Sequence, residues 1–413
     1  MQQPKEICLD EARRFGQLTQ LLYVVLPKKN VHFCSHFKIK ATSAQRTPVG
    51  SGINYKAKDM ALEEYRKQID DLDNRILDLL AQRMEVVKQV GDLTRKTNAT
   101  IYRPEREKAI IDRLDKMNKG LLNRAAIEAI FLEIFAVARN LELPERVAYL
   151  GPEGSFTHQA AESRYGAMST YTSLNSIEAV FETVKSDRAR FGVVPIENNQ
   201  EGVVQETIDL LGRYDLNIIA ELPLAIHFAF ATEEENLKSI KKIYSKDIAF
   251  RQCSAFIEDH FDKGVELVPV NSTSTAVKIA KEEKGAAAIC AHIAAKEYDL
   301  PILFENIEDS GENSTRFIIL CKGHFNEPSN NDKTSILARL EDKPGALVTF
   351  LQEFHKAKIN LCKVESRPAK EGSNFKYIFY IDFDGHFNDR RVQKVVKNYW
   401  HNIKWLGSYV KLV

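Results

Sequence analysis

The sequence predicts a multidomain chain: a helical segment, then an α/β segment, and finally a small α+β segment. A length of 413 residues exceeds what one hydrophobic core normally supports. Apolar residues recur every three or four positions after residue 60, whereas short β-rich runs alternate with helical stretches after Pro144. The expected domains are residues 60–145, 146–325 and 326–413, the last including a linker.

Composition excludes several classes of protein. Hydrophobic residues make up 44% of the chain and charged residues 28%, which is typical of a soluble globular protein. The formal net charge of +1 provides no basic field for nucleic acid or a membrane surface. Six cysteines are scattered without a CxxC pair, which favours reduced thiols over a zinc site or disulfides. We therefore expect a cytoplasmic protein with no metal, no cofactor, and neither nucleic acid nor membrane as partner.

Residues 1–59 are interpreted as a poorly ordered leader. They carry ten Lys or Arg residues against four Asp or Glu residues, with little periodicity. Their longest apolar run, at 21–26, is too short to span a bilayer. A small-residue cleavage pattern does not follow it, which argues against a signal peptide.

A long helix with one apolar seam is predicted at the start of the folded chain. Its apolar residues alternate in steps of three and four. They are Leu62, Tyr65, Ile69, Leu72, Ile76, Leu79, Val86, Val90 and Leu93. Arg83 occupies this seam, where an arginine is costly unless it meets an anion. Two further helices are predicted, one from Pro104 and one through 127–141. Because three such helices make a poor monomeric core, we expect a homodimer or a higher homo-oligomer.

The two later segments have different patterns. The β-rich runs of the middle segment lie at 147–151, 191–197, 286–290 and 316–320. Their alternation with helical stretches predicts helices flanking mainly parallel strands, with ligands bound in a crevice at strand ends. The last segment predicts a β-α-β-β unit followed by a final helix near 389–399.

Four motifs follow one another in the middle segment. They are GPEGSFTHQAA (151–161), VVPIENNQEGVV (193–204), YSKDIAFRQC (244–253) and EDSGENSTRF (308–317). In this order they resemble the prephenate dehydratase family, whose two-lobed fold is similar to that of periplasmic binding proteins. Residues 60–145 resemble the all-helical chorismate mutase family, and GALV (345–348) with ESRP (365–368) resembles an ACT domain. The combination is similar to the bifunctional bacterial P-protein family.

The resemblance implies two reactions of phenylalanine biosynthesis. Chorismate would be rearranged to prephenate, and prephenate converted to phenylpyruvate, water and CO2, with feedback inhibition by phenylalanine. Two alternatives stay open. One is a dehydratase with a weak or vestigial mutase domain. The other is a non-enzymatic protein that senses amino acids or binds solutes.

For the mutase, the resemblance implies a set of charged side chains around chorismate. Arg66 from the partner subunit, Arg83 and Arg106 would supply positive charge for the substrate. Glu107 would hold the ring hydroxyl, and Glu142, in its protonated form, would face the ether oxygen. Arg83 and Glu142 are the catalytic residues among them.

Three positions of the expected mutase site depart from the family pattern. Thr94 stands where the family has a lysine, Arg103 replaces an acidic residue, and Ala138 replaces a serine. A threonine cannot supply the missing charge, and such a donor can be worth on the order of 3 kcal/mol. Either Arg95 or Lys96 takes over this role, or the mutase is weak.

For the dehydratase, the resemblance points to Thr315 as the essential hydroxyl. The reaction needs a proton donor at the departing hydroxyl and a grip on the carboxylates. A threonine is too weak an acid to ionise, so we expect it to act through a hydrogen bond or relay. The implied substrate-binding residues are Ser155, Thr157, Glu197, Asn198, Ser245, Gln252, Thr315 and Arg316.

The ACT resemblance implies a phenylalanine site between paired ACT domains. Its two stretches start a predicted helix and end a predicted strand. The implied effector-binding residues are Gly345, Ala346, Leu347, Val348, Glu365, Ser366, Arg367 and Pro368.

Overall fold

The computed structural model describes residues 55–97, 103–261, 264–368 and 377–411, with the side chains of 62–93 in the first range. Most of the predicted leader lies outside these residues, although the first helix already begins at Tyr55. Contacts divide the chain between Asp71 and Leu72 into two units. Among the helices described, none combines the length and apolar character needed to cross a membrane.

Three helices form the first segment, as the sequence predicts. They are α1 (Tyr55–Thr97), α2 (Pro104–Met117) and α3 (Arg124–Glu142). The proline at the first position of α2 is favourable because its missing N–H would have no partner there. Asn123 caps α3 by accepting a hydrogen bond from the backbone N–H of Ala126 at 2.8 Å.

The apolar seam of α1 stays open to solvent. Helices α2 and α3 share only a small core around Ile111, Ile127 and Phe135. Within the second unit, the seam residues Leu79 and Leu93 are both 63% exposed. A row of large apolar side chains on a surface usually marks an interaction site.

A six-stranded mixed sheet forms the first lobe of the middle segment. Its strands, numbered along the chain, are β1 (Arg146–Leu150), β2 (Thr170–Leu174), β3 (Phe191–Asn198), β4 (Gly202–Val203), β5 (Asn217–Ala225) and β11 (Ser314–Cys321). The order is β2-β1-β3-β11-β5, with β4 paired to β3. Only β1 pairs in parallel, with β2 and β3, whereas β11 is antiparallel to β3 and β5. The expectation of mainly parallel strands was wrong because β11 returns from the second lobe and inserts between β3 and β5.

A five-stranded sheet forms the second lobe. Its strands are β6 (Ala229–Ala231), β7 (Lys242–Ser245), β8 (Glu266–Pro269), β9 (Ala286–Cys290) and β10 (Ile302–Phe304). Their order is β10-β6-β9-β7-β8. The chain enters this lobe after β5 and leaves it into β11, so two crossings join the lobes.

Helices cover both sheets, as the alternating pattern predicts. In the first lobe they are α4 (Phe156–Tyr165), α5 (Ile177–Lys185) and α6 (Gln205–Arg213). In the second lobe they are α7 (Asp247–Gln252), α8 (Ser254–His260), α9 (Thr273–Glu282) and α10 (His292–Glu297). Neighbouring residues of β11, such as Phe317 and Ile318, belong to different core clusters, so the first sheet is buried on both faces.

The last segment is a βαββαβ unit. It comprises β12 (Asp332–Arg339), α11 (Ala346–Lys356), β13 (Leu361–Pro368), β14 (Tyr377–Asp384), α12 (Arg390–Lys397) and β15 (Ile403–Val410). The antiparallel sheet has the order β13-β14-β12-β15. The predicted β-α-β-β unit and final helix are confirmed, but the sequence analysis missed β15.

This C-terminal unit shares a hydrophobic core with the first lobe. Leu337, Tyr380 and Leu406 belong to the same buried cluster as Ile208 and Leu211 of α6. Strand β15 also approaches β5 closely, since a Cβ atom on Gly407 would overlap the carbonyl oxygen of Ile218. The unit is thus fixed against the first lobe.

Candidate active sites

A cleft opens between helices α1, α2 and α3. Its volume is about 610 Å³. The predicted residues that line it are Arg83, Arg103, Arg106, Glu107, Ala138 and Glu142. Val86, Val90, Ile110 and Phe135 give it an apolar wall, and Arg139 adds a further cation. The structure therefore brings most of the residues expected around a dicarboxylate together in one cavity.

Arg83 lies half-buried in this cleft. Its guanidinium carbon sits 5.8 Å from the ring centre of Phe135. Burial and the neighbouring charge of Arg106 lower the pKa of Arg83, and Glu142 opposes them. An anionic ligand beside Arg83 would stabilise its charged form.

Glu142 closes one side of the cleft at the end of α3. The approach of α1 to this residue depends on Gly91, where a Cβ atom would lie 3.1 Å from Glu142 Cγ and 3.4 Å from Glu142 Cα. A glycine inside a helix costs about 1 kcal/mol relative to alanine. Here it allows the two helices to meet at the glutamate.

Glu107 is held in a buried ionic network. Its Oε1 accepts a hydrogen bond from Arg139 Nη1, and its Oε2 lies 2.9 Å from Arg164 Nη2. Arg139 Nε also donates to both carboxylate oxygens of Glu145, at 3.0 and 3.1 Å. Burial raises the pKa of Glu145, and Arg139 opposes this shift. Because Arg164 belongs to α4, the network joins the helical segment to the first lobe.

Two predicted residues of this site cannot be placed in the cleft. Arg66 lies in the first unit, where its Nη1 donates to Glu63 Oε1 at 2.5 Å. The backbone of Thr94 belongs to α1, which continues to Thr97, but its side chain lies outside the described residues. The same holds for the side chains of Arg95 and Lys96.

A second cluster lies at the end of strands β3 and β11, where Thr315 pairs in register with Asn198. Asn198 Nδ2 donates to Thr315 Oγ1 at 2.8 Å and to Asn313 Oδ1 at 3.0 Å. Asn198 Oδ1 accepts from the backbone N–H groups of Gln200 and Glu201, both at 2.9 Å. Since Thr315 Oγ1 accepts from Asn198, its own hydrogen can serve as a donor.

The second lobe reaches this cluster through Gln252. This residue ends α7, and its Nε2 donates to Gln200 Oε1 at 2.7 Å. Asp309 fixes the start of the neighbouring helix α8 by accepting hydrogen bonds from Ser254 and from the N–H of Ala255. The cluster therefore lies where the two lobes meet.

Glu197 and Arg316 form a separate pair on the same two strands. Arg316 Nη2 lies 3.0 Å from Glu197 Oε2, and its Nη1 lies 3.1 Å from Glu221 Oε2 and 2.8 Å from Asp382 Oδ2. Burial acts to lower the pKa of Arg316, but the Asp382 carboxylate raises it well above its usual range. Lys363 of β13 also donates to Glu197 Oε1. These two predicted substrate ligands thus contact the C-terminal unit.

The remaining predicted residues of the middle segment make local hydrogen bonds. Ser155 caps α4 by accepting from the N–H of His158 at 3.3 Å, and Thr157 is buried in the first turn of that helix. Ser245 is fully buried at the end of β7, and its Oγ donates to the carbonyl oxygen of Ile289 at 2.7 Å.

Comparison with known proteins identifies both segments. A family model described as Chorismate mutase type II matches residues 65–143, and one described as Prephenate dehydratase matches residues 147–324. A bifunctional chorismate mutase/prephenate dehydratase of Aquifex aeolicus is 39% identical over 357 residues, which cover 85% of this chain and 98% of that protein. A second, of Pseudomonas aeruginosa, is 37% identical with the same coverage.

The chain belongs to the bifunctional chorismate mutase/prephenate dehydratase family. It converts chorismate to prephenate and prephenate to phenylpyruvate. The mutase match includes most residues of the helical cleft, and the dehydratase match includes the Thr315–Asn198 cluster. Among solved structures, prephenate dehydratase from Arthrobacter aurescens in complex with L-Phe is similar, with a TM-score of 0.58 and 34% identity. The similarity covers 64% of this chain and 90% of that one.

The two stretches predicted to bind an effector lie in the C-terminal unit of this bifunctional enzyme. Gly345 has φ +84° and precedes α11, in which Ala346, Leu347 and Val348 form the first turn. Glu365 to Pro368 end strand β13. Arg367 Nη2 lies 3.2 Å from Asp209 Oδ1 of α6, so this arginine contacts the dehydratase segment.

Arg139 and Arg164 of the mutase–dehydratase network were not predicted from the sequence. The sequence did contain a signal for Arg139, which stands beside Ala138 in an apolar helical run. Like Arg83, an arginine at such a position is costly unless it meets an anion. Arg164 gave no comparable signal, because it lies in another segment and meets Glu107 only through the packing of α3 on α4.

Proposed function

We propose that chorismate binds in the cleft between α1, α2 and α3, with its carboxylates on Arg83 and Arg106. The rearrangement is pericyclic, so the enzyme needs neither a nucleophile nor a proton transfer. It can hold the reactive conformer and stabilise charge at the ether oxygen as the bond breaks. The lowered pKa of half-buried Arg83 beside Arg106 supports this role, since both would be stabilised by a dianionic substrate.

The acidic groups of the cleft have separate roles in this proposal. Glu142, protonated, faces the ether oxygen, and Glu107 accepts a hydrogen bond from the ring hydroxyl. Exposed Arg103 adds positive charge near the cleft entrance, while buried Ala138 contributes only shape. Thr94 can offer at most a neutral hydrogen bond, which favours a second candidate function: a dehydratase with a weak mutase.

A homodimer would complete the mutase site. The exposed apolar seam of α1 is suited to a second copy of the same helix, since packing two such seams together would bury both. Arg66 of one protomer would then enter the cleft of its partner. The observation that carries this proposal is the row of seam residues in the second unit that are about half exposed or more.

The dehydratase reaction is proposed to occur at the Thr315–Asn198 cluster. Prephenate loses its ring hydroxyl as water and its ring carboxylate as CO2, and aromatisation drives the process. Thr315 would donate a hydrogen bond to the departing hydroxyl, with Asn198 fixing its orientation. Gln252 would close on the substrate from the second lobe. Ser155 and Thr157, at the start of α4, would bind a carboxylate, while buried Ser245 would support the second lobe.

The C-terminal unit is proposed to be an ACT domain that binds phenylalanine at 345–348 and 365–368. Its βαββαβ topology and the two motifs support this, as does a similar dehydratase whose structure was solved with L-Phe. Lys363 lies two residues before Glu365 and pairs with Glu197, which precedes Asn198 in β3. Phenylalanine bound along β13 would thus affect Glu197, the chain neighbour of the Asn198 that donates to Thr315.

The internal domain boundaries we propose follow the ends of elements, whereas the proposed mutase start at residue 60 lies within α1. The mutase, at 60–145, ends after α3, and the dehydratase, at 146–325, begins with β1 and ends after β11. The linker and effector domain occupy 326–413.

Substitution of Arg83 tests the assignment of the mutase cleft. Arg83→Met in the full chain should lower the mutase kcat/KM by about 100-fold or more, because it removes a preorganised charge at the substrate. Dehydratase activity on added prephenate should stay at the wild-type value. Unchanged mutase activity would place chorismate binding elsewhere.

A further inference from the structure

Glu107 lines the mutase cleft, but one of its two partners comes from the dehydratase segment. Glu107 Oε2 lies 2.9 Å from Nη2 of Arg164, on helix α4. Its other oxygen accepts from Arg139 on α3. The exposed fraction of the side chain is 11% for Glu107, 13% for Arg164 and 5% for Arg139. This arrangement differs from a surface ion pair, whose charges are screened by water.

We propose that Arg164 is a positioning residue of the chorismate mutase site. The inference rests on the proposed role of Glu107 as acceptor for the ring hydroxyl. An ionised carboxylate has about four acceptor positions on its two oxygens. Arg139 donates a hydrogen bond to one oxygen and the charge of Arg164 lies beside the other, so the carboxylate is held in orientation and still has acceptor capacity for a hydroxyl hydrogen.

Close packing around Arg164 fixes helix α4 relative to helix α3. Helix α3 meets the loop after α4 at Gly166, where a Cβ atom would lie 2.7 Å from Ala136 Cβ. The backbone N–H of Ala167 donates to Glu133 Oε2 at 3.3 Å. The Arg139 guanidinium also lies 5.7 Å from the ring centre of Tyr165, the neighbour of Arg164. The dehydratase helix is therefore held in one position relative to the mutase cleft.

A structural role and a positioning role predict different kinetics. Removing one partner of a buried ion pair leaves an uncompensated charge and can destabilise the whole region. Such a loss would reduce turnover of every mutase substrate by the same factor. A loss of Glu107 positioning would instead affect only a substrate that carries the ring hydroxyl.

The test compares chorismate with an analogue that lacks the ring hydroxyl but keeps the rearranging allyl vinyl ether. The ratio of their kcat/KM values is measured for wild-type full-length enzyme and for Arg164→Met, Arg164→Lys and Glu107→Gln. This ratio does not depend on the folded fraction, because misfolded molecules lower both values equally. Lys296→Met is the matched control, since Lys296 is an exposed residue of α10 that lies 3.7 Å from Glu162, and Glu162 is on the same helix as Arg164.

We expect Arg164→Met to lower the chorismate-to-analogue ratio by about tenfold, the loss typical of one hydrogen bond to a charged group. Arg164→Lys should recover part of the lost ratio. The control Lys296→Met should have the wild-type ratio and the wild-type dehydratase kcat/KM. A wild-type ratio in Glu107→Gln would overturn the proposed role of Glu107 itself. A lowered ratio in Glu107→Gln with a wild-type ratio in Arg164→Met would overturn the positioning role of Arg164 alone.

Discussion

Thr315 and Arg316 are adjacent in β11 but contact different parts of the molecule. Thr315 accepts a hydrogen bond from Asn198 near the meeting point of the lobes, whereas Arg316 pairs with Asp382 in the C-terminal unit. Successive side chains of a strand point to opposite faces of the sheet, so two adjacent residues contact different segments. The same holds on β3 for Asn198 and Glu197.

Thr315→Ala should lower dehydratase kcat by about 100-fold or more, because it removes the proposed hydrogen-bond donor to the leaving hydroxyl. Mutase activity on chorismate should stay at the wild-type value, since Thr315 lies outside the helical cleft. Thr315→Ser is the control that keeps the hydroxyl, and it should retain most of the activity. Equal dehydratase rates in wild type and Thr315→Ala would remove Thr315 from the mechanism.

Thr94→Lys should raise the mutase kcat severalfold. The ether oxygen gains negative charge in the transition state, and a charge-assisted hydrogen bond is roughly twice as strong as a neutral one. Positions one and two residues further along a regular helix are rotated by about 100° and 200° from the position of Thr94, and the backbone of α1 does continue to Thr97. If kcat stays flat in Thr94→Lys while Arg95→Ala or Lys96→Ala abolishes activity, a neighbouring cation already supplies this charge.

At the scale of elements, strands β3 and β11 connect the dehydratase cluster to the C-terminal sheet. Three acidic and three basic side chains meet at this junction, so their charges balance. They are Glu197, Glu221, Asp382, Arg316, Lys333 and Lys363. Asp382 is 1% exposed, and such a buried carboxylate needs its cationic partner in place. A shift of β13 would therefore change the ion pair between Lys363 and Glu197.

Lys363→Met should weaken phenylalanine inhibition of the dehydratase without preventing phenylalanine binding. The substitution removes the contact between β13 and Glu197, and couplings between sites typically change affinity 5- to 150-fold. Inhibition curves and calorimetric titration with phenylalanine give the two quantities separately. Lys356→Met is the control, because Lys356 is an exposed residue of α11 that pairs only with Glu353 of the same helix among the ion pairs described. Inhibition equal to wild type in Lys363→Met would show that the signal takes another route.

Much of the element pattern could be predicted from the sequence, but not its three-dimensional pairing. The periodic seam of α1, the proline of α2 and the β-rich runs gave correct helices and strands because they are local signals. The antiparallel insertion of β11 between β3 and β5 could not be read this way, since it depends on contacts between distant segments. For the same reason, Arg316 was predicted to share the substrate site of Thr315, and the contact between Arg164 and Glu107 was not predicted.

At the scale of the whole molecule, the mutase, dehydratase and C-terminal segments are joined by buried contacts. The Glu107–Arg164 pair joins the first two, and the core shared by Tyr380 and Leu211 joins the last two. Cutting the chain before β12 would expose apolar surface of this shared core, which is costly. Point substitutions in the intact chain are therefore better tests of each activity than isolated domains.

The most direct test of the central claim is to incubate the purified full-length protein with chorismate and follow prephenate and phenylpyruvate in the same sample. Wild-type protein should form prephenate first and then phenylpyruvate. Thr315→Ala should stop at prephenate, and Arg83→Met should convert only prephenate that is added. Wild-type protein that left both chorismate and added prephenate unchanged would contradict the two activities, and Thr315→Ala that produced phenylpyruvate at the wild-type rate would contradict the assigned dehydratase site.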